Sequence, residues 1–489
     1  MKNLLKKTLL TLLISAFVLS FATANGANET VPSDKTTKDA KGSFAISFID
    51  DEGNLINLDK PCERVIALYT AHVENIYYLG AGSQLLGGYT SAIYPPEALE
   101  KANFTYRGDA ETIIAANPDC VLIRPFITRK APNFVEQLKM AGIPVVSLYP
   151  DTFEQFDSYI ERLSMLLGKE KQAKLLFSDF YNNLDEIHET TVNIEDKQTV
   201  FFESTDKNVR TVSPSSMPAR AIEIAGGINI AANVVPMSEG GSIASYGVEK
   251  VILNASNIDV YISQVGAMNA GGNIRTVSDR PGFPTIKAIK TGRFYNLSEK
   301  LISSPTFRYY KGVREIARYL YPEVLDDVLA YKNDNICNKA DYANIIMMMN
   351  HLPLYTPTSS KYYRKNILGH TYGFFEDLKW KDDNFDAIET AVYSGLAPFT
   401  TIGEKEYYYP LDEVTRNQLA STLYLMGEFP TVDEHQNIED LGNCAVPKIV
   451  QKLVDHKIMF LDESGNFNPK DTLTNQEVID AIELALQAK

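Results

Sequence analysis

From residue 44 the chain alternates between short, unbroken apolar runs and stretches whose apolar residues recur every three or four positions. "FAISFIDDEGNLINLDKP" alternates strictly and predicts a β-hairpin turning at Glu52-Gly53. Val65 to Leu68 then predicts a buried strand and Val73 to Leu79 a helix. Leu85 to Tyr89, Val121 to Ile123 and Val145 to Leu148 predict strands, separated by helices over Ala110 to Ala116 and Ala131 to Ala141. Uninterrupted apolar strands joined by helices imply a parallel sheet covered on both faces. Two helices follow, Thr152 to Leu167 and Lys169 to Thr190, hinged at Gly168. The second spaces Ala173, Leu176, Phe177, Phe180, Leu184 and Ile187 at close to a 3.6 period. The alternation then resumes, with strands at Thr199 to Phe202 and Val260 to Ser263. Helices are expected at Ala219 to Ala225, Val248 to Leu253 and Arg314 to Tyr321.

The fold class is therefore α/β: two Rossmann-like lobes of similar size bridged by a long rigid helix, with a cleft between them. The expected boundaries are 44–150 for the first lobe, 151–192 for the bridging helices and 193–323 for the second lobe. In open α/β sheets ligands bind beyond the carboxyl ends of the strands. That places the candidate site on Tyr69 to His72, where a helix N-terminus adds free N–H groups. The other strand ends are Gly87 to Pro96, Ile123 to Arg129, Phe202 to Asp206 and Ile262 to Met268.

The last part has a different pattern. Phe374-Phe375-Glu376-Asp377-Leu378 aligns with Asn437-Ile438-Glu439-Asp440-Leu441, and Tyr409-Pro410 with Asn468-Pro469. Thr415-Arg416-Asn417-Gln418 aligns with Thr474-Asn475-Gln476-Glu477. These matches define a repeat of about 60 residues. A partial third copy begins at Asn338-Lys339-Ala340-Asp341, so 334–489 is expected to be an all-α repeat domain. Thr415 would cap its helix and Gln418 complete a capping box.

Charge sharpens the boundary. The chain of 489 residues carries a net charge of −15. From Asp334 onward there are 13 basic and 24 acidic residues, against 34 and 38 before it. That balance argues against nucleic acid and anionic lipid as partners. At the start, Lys2, Lys6 and Lys7 precede an apolar run to Phe21 and the Ala22-Thr23-Ala24 tripeptide, the pattern of a signal peptide over 1–24. A polar leader over 25–43 follows, and an exported, cell-surface or cell-wall protein is expected. The first cysteine is Cys62, so no lipid-attachment cysteine is expected at the cleavage site. The four cysteines fit no zinc spacing and read first as small buried residues. A Cys62–Cys120 bridge is the alternative, since both would begin neighbouring strands.

Several segments, in this order, resemble the cobalamin/ferric-siderophore class of ABC-transporter substrate-binding proteins, the type with a rigid helix between lobes. They are "ERVIAL" with "LGAG", "YPPEA", "YRGDAETIIAANPDCVLI", "KMAGIPVVSL", "EIAGGINI" and "LNASNIDVYIS". The resemblance covers Phe44 to about Tyr321 and implies capture of a small-molecule ligand for an ABC permease. Loops after strands line the ligand in this family. That implies Tyr69, Thr70, His72, Tyr89, Tyr106, Arg107, Arg124, Ser204, Ser213, Gln264 and Arg308 as binding residues. Acidic residues that the family presents to permease arginines correspond to Glu97 or Glu100 and to Glu249.

Three guanidinium forks, from Arg107, Arg124 and Arg308, would suit carboxylate, catecholate, phosphate or an oxyanion. Tyr69, Tyr89 and Tyr106 could stack on a flat macrocycle or ligate iron. Arg107 beside Asp109 also reads as a surface pair. His72 reads as an axial haem ligand or, more commonly, as a helix-start histidine bonded to the backbone. The expected ligand is a metal chelate: a ferric siderophore first, then a corrinoid, then molybdate or tungstate, then haem. No cofactor and no bare metal site are expected.

The C-terminal repeats resemble S-layer homology repeats, which grip pyruvylated cell-wall polysaccharide. The Thr-Arg pair of that signature is intact at Thr415-Arg416, while Lys339 and Asn475 stand at the arginine position of the other copies. An anionic secondary cell-wall polysaccharide is thus the expected partner of Thr415 and Arg416, with a degenerate spacer as the alternative. An enzyme on the same scaffold lacks support, since no Gly-x-Ser-x-Gly elbow, phosphate loop or dinucleotide spacing is present. A surface adhesin without transport is the remaining reading.

Overall fold

The computed structural model describes residues 45–488, except 239–240, 327, 358–368, 428, 431 and 433–434. The expected signal peptide and the whole leader lie outside the described residues. Among the described residues no helix is long and apolar enough to cross a membrane.

The opening hairpin pairs β1 (Ile46–Ile49) with β2 (Leu55–Leu58), turning through Gly53 at a φ of 81°. The first lobe is then a five-stranded parallel sheet of β3 (Val65–Ala67), β4 (Leu85–Tyr89), β5 (Ala102–Phe104), β6 (Cys120–Ile123) and β7 (Val145–Ser147), in the order β5-β4-β3-β6-β7. All of β3, β6 and β7 is buried, as apolar runs covered by helices on both faces require. β5 is a short edge strand with two exposed residues, and its weak apolar content left no signal in the sequence. The paired glycines of β4 have a packing reason. A Cβ on Gly87 would lie 2.2 Å from the Ala102 carbonyl, and one on Gly88 2.7 Å from Val73.

The helix Phe156–Leu167 ends at Gly168, which is left-handed with a φ of 65°, and the helix Glu170–Thr191 starts two residues later. Its apolar stripe buries Ala173, Phe180, Leu184 and Ile187. The Phe180 ring lies tilted against Phe156 at 5.0 Å and edge-on to Phe307 at 5.9 Å, so the two helices and the segment before Tyr309 share one aromatic cluster.

The second lobe pairs β8 (Thr199–Glu203), β10 (Ile228–Asn229), β12 (Val260–Val265) and β13 (Phe294–Ser298) in a parallel sheet of order β10-β8-β12-β13. A small antiparallel ribbon of β9 (Arg210–Val212) and β11 (Ile243–Ser245) stands beside it. Sequence periodicity missed β13 because "FYNLS" places asparagine mid-strand.

The lobes are locked together. Arg308, 3% exposed, donates from Nε and Nη2 to the Glu74 carboxylate at 2.7 Å each, and its guanidinium lies 3.5 Å from the centre of the Tyr94 ring. Asn75 Nδ2 donates to the Pro305 carbonyl at 2.8 Å beside it. Burial opposes the Arg308 charge, but the Glu74 carboxylate outweighs it and raises the pKa.

The C-terminal module has its own core, built on helices Lys339–Met349, Phe385–Tyr393, Arg416–Met426, Pro447–Asp455 and Asn475–Gln487. Three helices start in the same way. Asn338 accepts from the Asp341 N–H, while Thr415 with Gln418 and Thr474 with Glu477 form capping boxes. The residues just before these caps close a ring. Cys337 N–H donates to Leu473, Leu473 to Val414 and Val414 back to Cys337, at 2.8, 3.1 and 2.8 Å. The partial copy at Asn338 supplies the third cap of this ring with the single helix Lys339–Met349.

This module seats on both lobes. Trp380 stands edge-on to Tyr78 and Tyr94, 5.0 and 5.7 Å away, and Lys311 pairs with Asp386. The Leu354 N–H donates to Glu315 at 2.8 Å.

Removing one member of a buried ion pair strands the other charge, at a cost of about 3–5 kcal/mol. Arg308→Met is therefore expected to lower unfolding free energy by about that much in denaturant titration. Adding Glu74→Gln should restore a large part of it. A single variant as stable as wild type would show that the pair does not hold the lobes.

Candidate ligand cleft

Between the lobes lies a cavity of about 140 Å³, walled by strand ends as parallel-sheet topology requires. β3 delivers Tyr69, β6 Arg124 and β7 the Tyr149-Pro150-Asp151 turn. The second lobe supplies Ser204 after β8, Val212 at the end of β9, Ile243 of β11, and Gln264 and Met268 from β12 and its following loop. Ser303 and Pro305 come from the segment after β13.

Arg124 organises the first wall. Its guanidinium carbon lies 4.6 Å from the centre of the Tyr69 ring, 5.8 Å from Tyr149 and 4.9 Å from Phe126. Three aromatic rings thus surround the guanidinium at cation–π distance. The aromatic row continues outward. Phe126 meets Tyr106 edge-on at 6.5 Å, Tyr106 stacks on Tyr89 at 5.4 Å, and exposed Arg107 lies 5.8 Å from the Tyr106 ring. Tyr89, Tyr106 and Arg107 thus form a rim cluster, off the cavity itself.

The opposite wall is aliphatic and hydroxylic. Ser204 Oγ donates to the Thr211 carbonyl at 3.0 Å, and Ser303 donates to the Gln264 side-chain oxygen. Gln264 Nε2 reaches the Ser204 carbonyl at 3.5 Å. Ser213 is 1% exposed, lies outside this lining and hands its N–H to the Ser242 carbonyl. Behind the first wall, Lys300 crosses from the second lobe and donates to Thr70 Oγ1 at 3.3 Å; burial lowers its pKa.

Two expected contacts lie in the interior. Arg308 is held by Glu74 and does not reach the cleft. His72 is fully buried, with Nε2 3.0 Å from the Ile123 carbonyl and Nδ1 2.8 Å from the Tyr159 hydroxyl. A carbonyl only accepts, so Nε2 carries the proton and Nδ1 accepts from tyrosine. Burial pushes the His72 pKa down to about 4. Both ring nitrogens are thus engaged by protein groups, which removes His72 as an axial ligand. Of the three guanidinium forks expected at the cleft, Arg124 alone lines the cavity.

Sequence reading did not single out Tyr149, Asp151, Phe126 or Ser303. The first two follow the predicted strand Val145 to Leu148 directly, so the strand-end rule could have found them. Ser303 follows a strand that periodicity did not reveal. On the outer faces Glu100 and Glu249 are exposed, whereas Glu97 is half-buried under the C-terminal module, where Pro96 packs on Gly373.

In the repeats, Arg416 Nε donates to the Phe467 carbonyl at 2.6 Å and Nη2 to Phe460 at 2.5 Å, while Lys339 Nζ donates to Tyr408 at 3.2 Å. Each cation at this position ties its repeat to the next, since Tyr408 and Phe467 are equivalent residues. Thr415 is occupied as the helix cap.

Residues 65–301 match the family model for periplasmic binding proteins, and residues 438–479 that for the S-layer homology domain. The chain carries a periplasmic binding protein domain followed by an S-layer homology domain. It is 25% identical over 322 residues to YvrC, an uncharacterized ABC transporter substrate-binding lipoprotein of Bacillus subtilis (strain 168), covering 65% of this chain and 97% of that one. It is 26% identical over 280 residues to a vitamin B12-binding protein of Vibrio campbellii, covering 56% and 95%. Among solved structures, the periplasmic heme-binding protein RhuT from Roseiflexus sp. RS-1 aligns with a TM-score of 0.46 at 23% identity, covering 54% and 99%. This pairing of domains makes the protein an exported, cell-surface-associated binding protein.

A neutral buried histidine stabilises the fold above its unfolded pKa of 6.5, and that stability is lost as pH falls toward the folded value of about 4. His72 should contribute about 3 kcal/mol of acid-induced loss across this window. Unfolding titrations of wild type and His72→Gln between pH 7 and 4 test it. The variant is expected to show the shallower decline, and parallel curves would exclude His72 as the titrating group.

Proposed function

We propose that the protein is the solute-binding component of an ABC importer, tethered to the cell wall, and that its cleft takes a corrinoid. The observation carrying the ligand class is the charge of the cavity wall. Arg124 and Asp151 are its charged side chains, one of each sign, and the remaining polar groups are hydroxyls and one amide. Ferric catecholates and oxyanions are compact anions that need several positive partners. With Arg308 neutralised by Glu74 and Arg107 on the rim, a large ligand with a neutral, amide-rich periphery fits better. The aromatic row from Tyr69 to Tyr89 gives such a ligand flat surfaces to stack on. The name of the Vibrio campbellii relative supports the same class. Sites for drug-sized ligands measure roughly 300–1,000 Å³, so a corrinoid would fill the cavity and extend over its rim beside Tyr89 and Tyr106.

Delivery would follow by docking on a permease, with Glu100 and Glu249 as the exposed acids and Glu97 reached once its cover lifts. The repeats would hold an anionic wall polysaccharide near Thr415 and Arg416.

Thermal unfolding of the full chain with cyanocobalamin, a ferric tris-catecholate, haem or molybdate tests the ligand. Cyanocobalamin at a hundredfold excess over its Kd should add about 2.7 kcal/mol of stability. Arg124→Ala should weaken that binding about tenfold, the loss of one charged hydrogen bond. A response to the catecholate alone would replace the corrinoid reading, and silence across all four would favour an adhesin.

Cell-wall pelleting tests the tether. Arg416→Ala is expected to stay in the supernatant while Lys339→Met still sediments, with circular dichroism showing both folded. Equal sedimentation would assign Arg416 a purely structural role.

A further inference from the structure

The four cysteines are all buried as free thiols, but they are not equivalent. Cys337 and Cys444 belong to different repeats, where their sulfurs meet the Asn338 and Asp440 carbonyls at 3.5 and 3.9 Å. Cys62 and Cys120 occupy one place in the first lobe. Cys120 opens β6, and its Cα pairs with Val65 of the neighbouring β3. The Asp119 N–H donates to the Arg64 carbonyl at 2.7 Å, and the Asp119 carboxylate accepts from the N–H groups of Glu63 and Arg64 at 2.7 and 2.9 Å. These bonds tie Glu63 and Arg64, directly after Cys62, to Asp119, directly before Cys120. The two side chains are 2% and 0% exposed within the same core. A hydrogen bond with Cys62, together with burial, holds the Cys120 thiol well above its ordinary pKa.

We propose that Cys62 and Cys120 form a disulfide in the exported protein. The thiolate of Cys62 attacks the disulfide of a thiol-oxidising protein, releasing one of its sulfurs as a thiolate. The Cys120 thiolate then displaces the second sulfur, forming the S–S bond. Two protons and two electrons leave the cysteines, and the oxidant ends as a dithiol. Timing follows from burial. In the folded, reduced chain the Cys120 thiolate is scarce and burial keeps an oxidant from both thiols, so the bond forms while the chain folds outside the membrane. Thereafter the same burial shields it from reductants.

The bond has a consequence for the cleft. It staples the amino ends of β3 and β6, whose carboxyl ends carry Tyr69 and Arg124. Cross-linking at one end of an adjacent strand pair restricts their sliding and keeps the cation–π wall in register.

The test uses the full chain recovered from the surface of expressing cells, denatured in iodoacetamide without reductant and analysed by mass spectrometry. Alkylation of Cys337 and Cys444 alone is expected, with all four modified after reduction and a linked pair of peptides holding Cys62 and Cys120. Four modified cysteines without reduction, or a linkage between any other pair, overturns the proposal. Reductant should lower the melting temperature of wild type and leave a folded Cys62→Ser/Cys120→Ser double variant unchanged. Equal sensitivity of both proteins would likewise count against it.

Discussion

The bidentate pair between Glu74 and Arg308 is the contact on which the rest of the molecule's geometry depends. Glu74 sits on the helix that follows β3, and Arg308 at the start of the helix that closes the second lobe. Neither charge could be buried alone, because the desolvation cost of each is met only by the other. The pair therefore fixes the lobes in one relation at their junction. The cleft walls, the aromatic cluster under the bridging helix and the seat of the C-terminal module all refer to that relation. Tyr94 lies over the guanidinium and Trp380 against Tyr94, so the repeats read the lobe junction through two aromatic contacts.

This has a cost for binding capacity that the fold accepts. Arg308, an expected anion partner in the cleft, instead holds the lobes. His72 is spent in the same way, bonded at both nitrogens and kept neutral by burial. What is left at the strand ends is an arginine spread over aromatic rings, faced by serines and a glutamine. Such a surface presents hydrogen-bonding edges and aromatic faces with little net charge.

The C-terminal module rests on another closed constraint. Three backbone N–H groups, from Cys337, Val414 and Leu473, each bond the carbonyl of another repeat, and the ring closes only when all three copies are present. Lysine and arginine at the first helical position reinforce it by reaching the next repeat's carbonyl. The position that distinguishes the wall-binding signature is thereby also a structural tie.

The sequence by itself determined the strongly patterned elements and their order, though not the short or polar strands β5 and β13. Short unbroken apolar runs bounded by turn residues point to covered strands, a 3.6 period with a glycine break to hinged helices, and Thr-x-x-Gln to a helix start, because these signals are local in the chain. The same logic reached Tyr69, Arg124, Ser204 and Gln264, since strand ends are set by topology. Tertiary structure decided which of the candidates face the cleft. Whether Arg308 meets a ligand or Glu74, and whether His72 meets a metal or a carbonyl, depends on partners more than fifty residues away in the chain. Burial and pairing across the lobes are long-range events that leave no periodic trace, and they turned an expected cluster of three guanidinium groups into one.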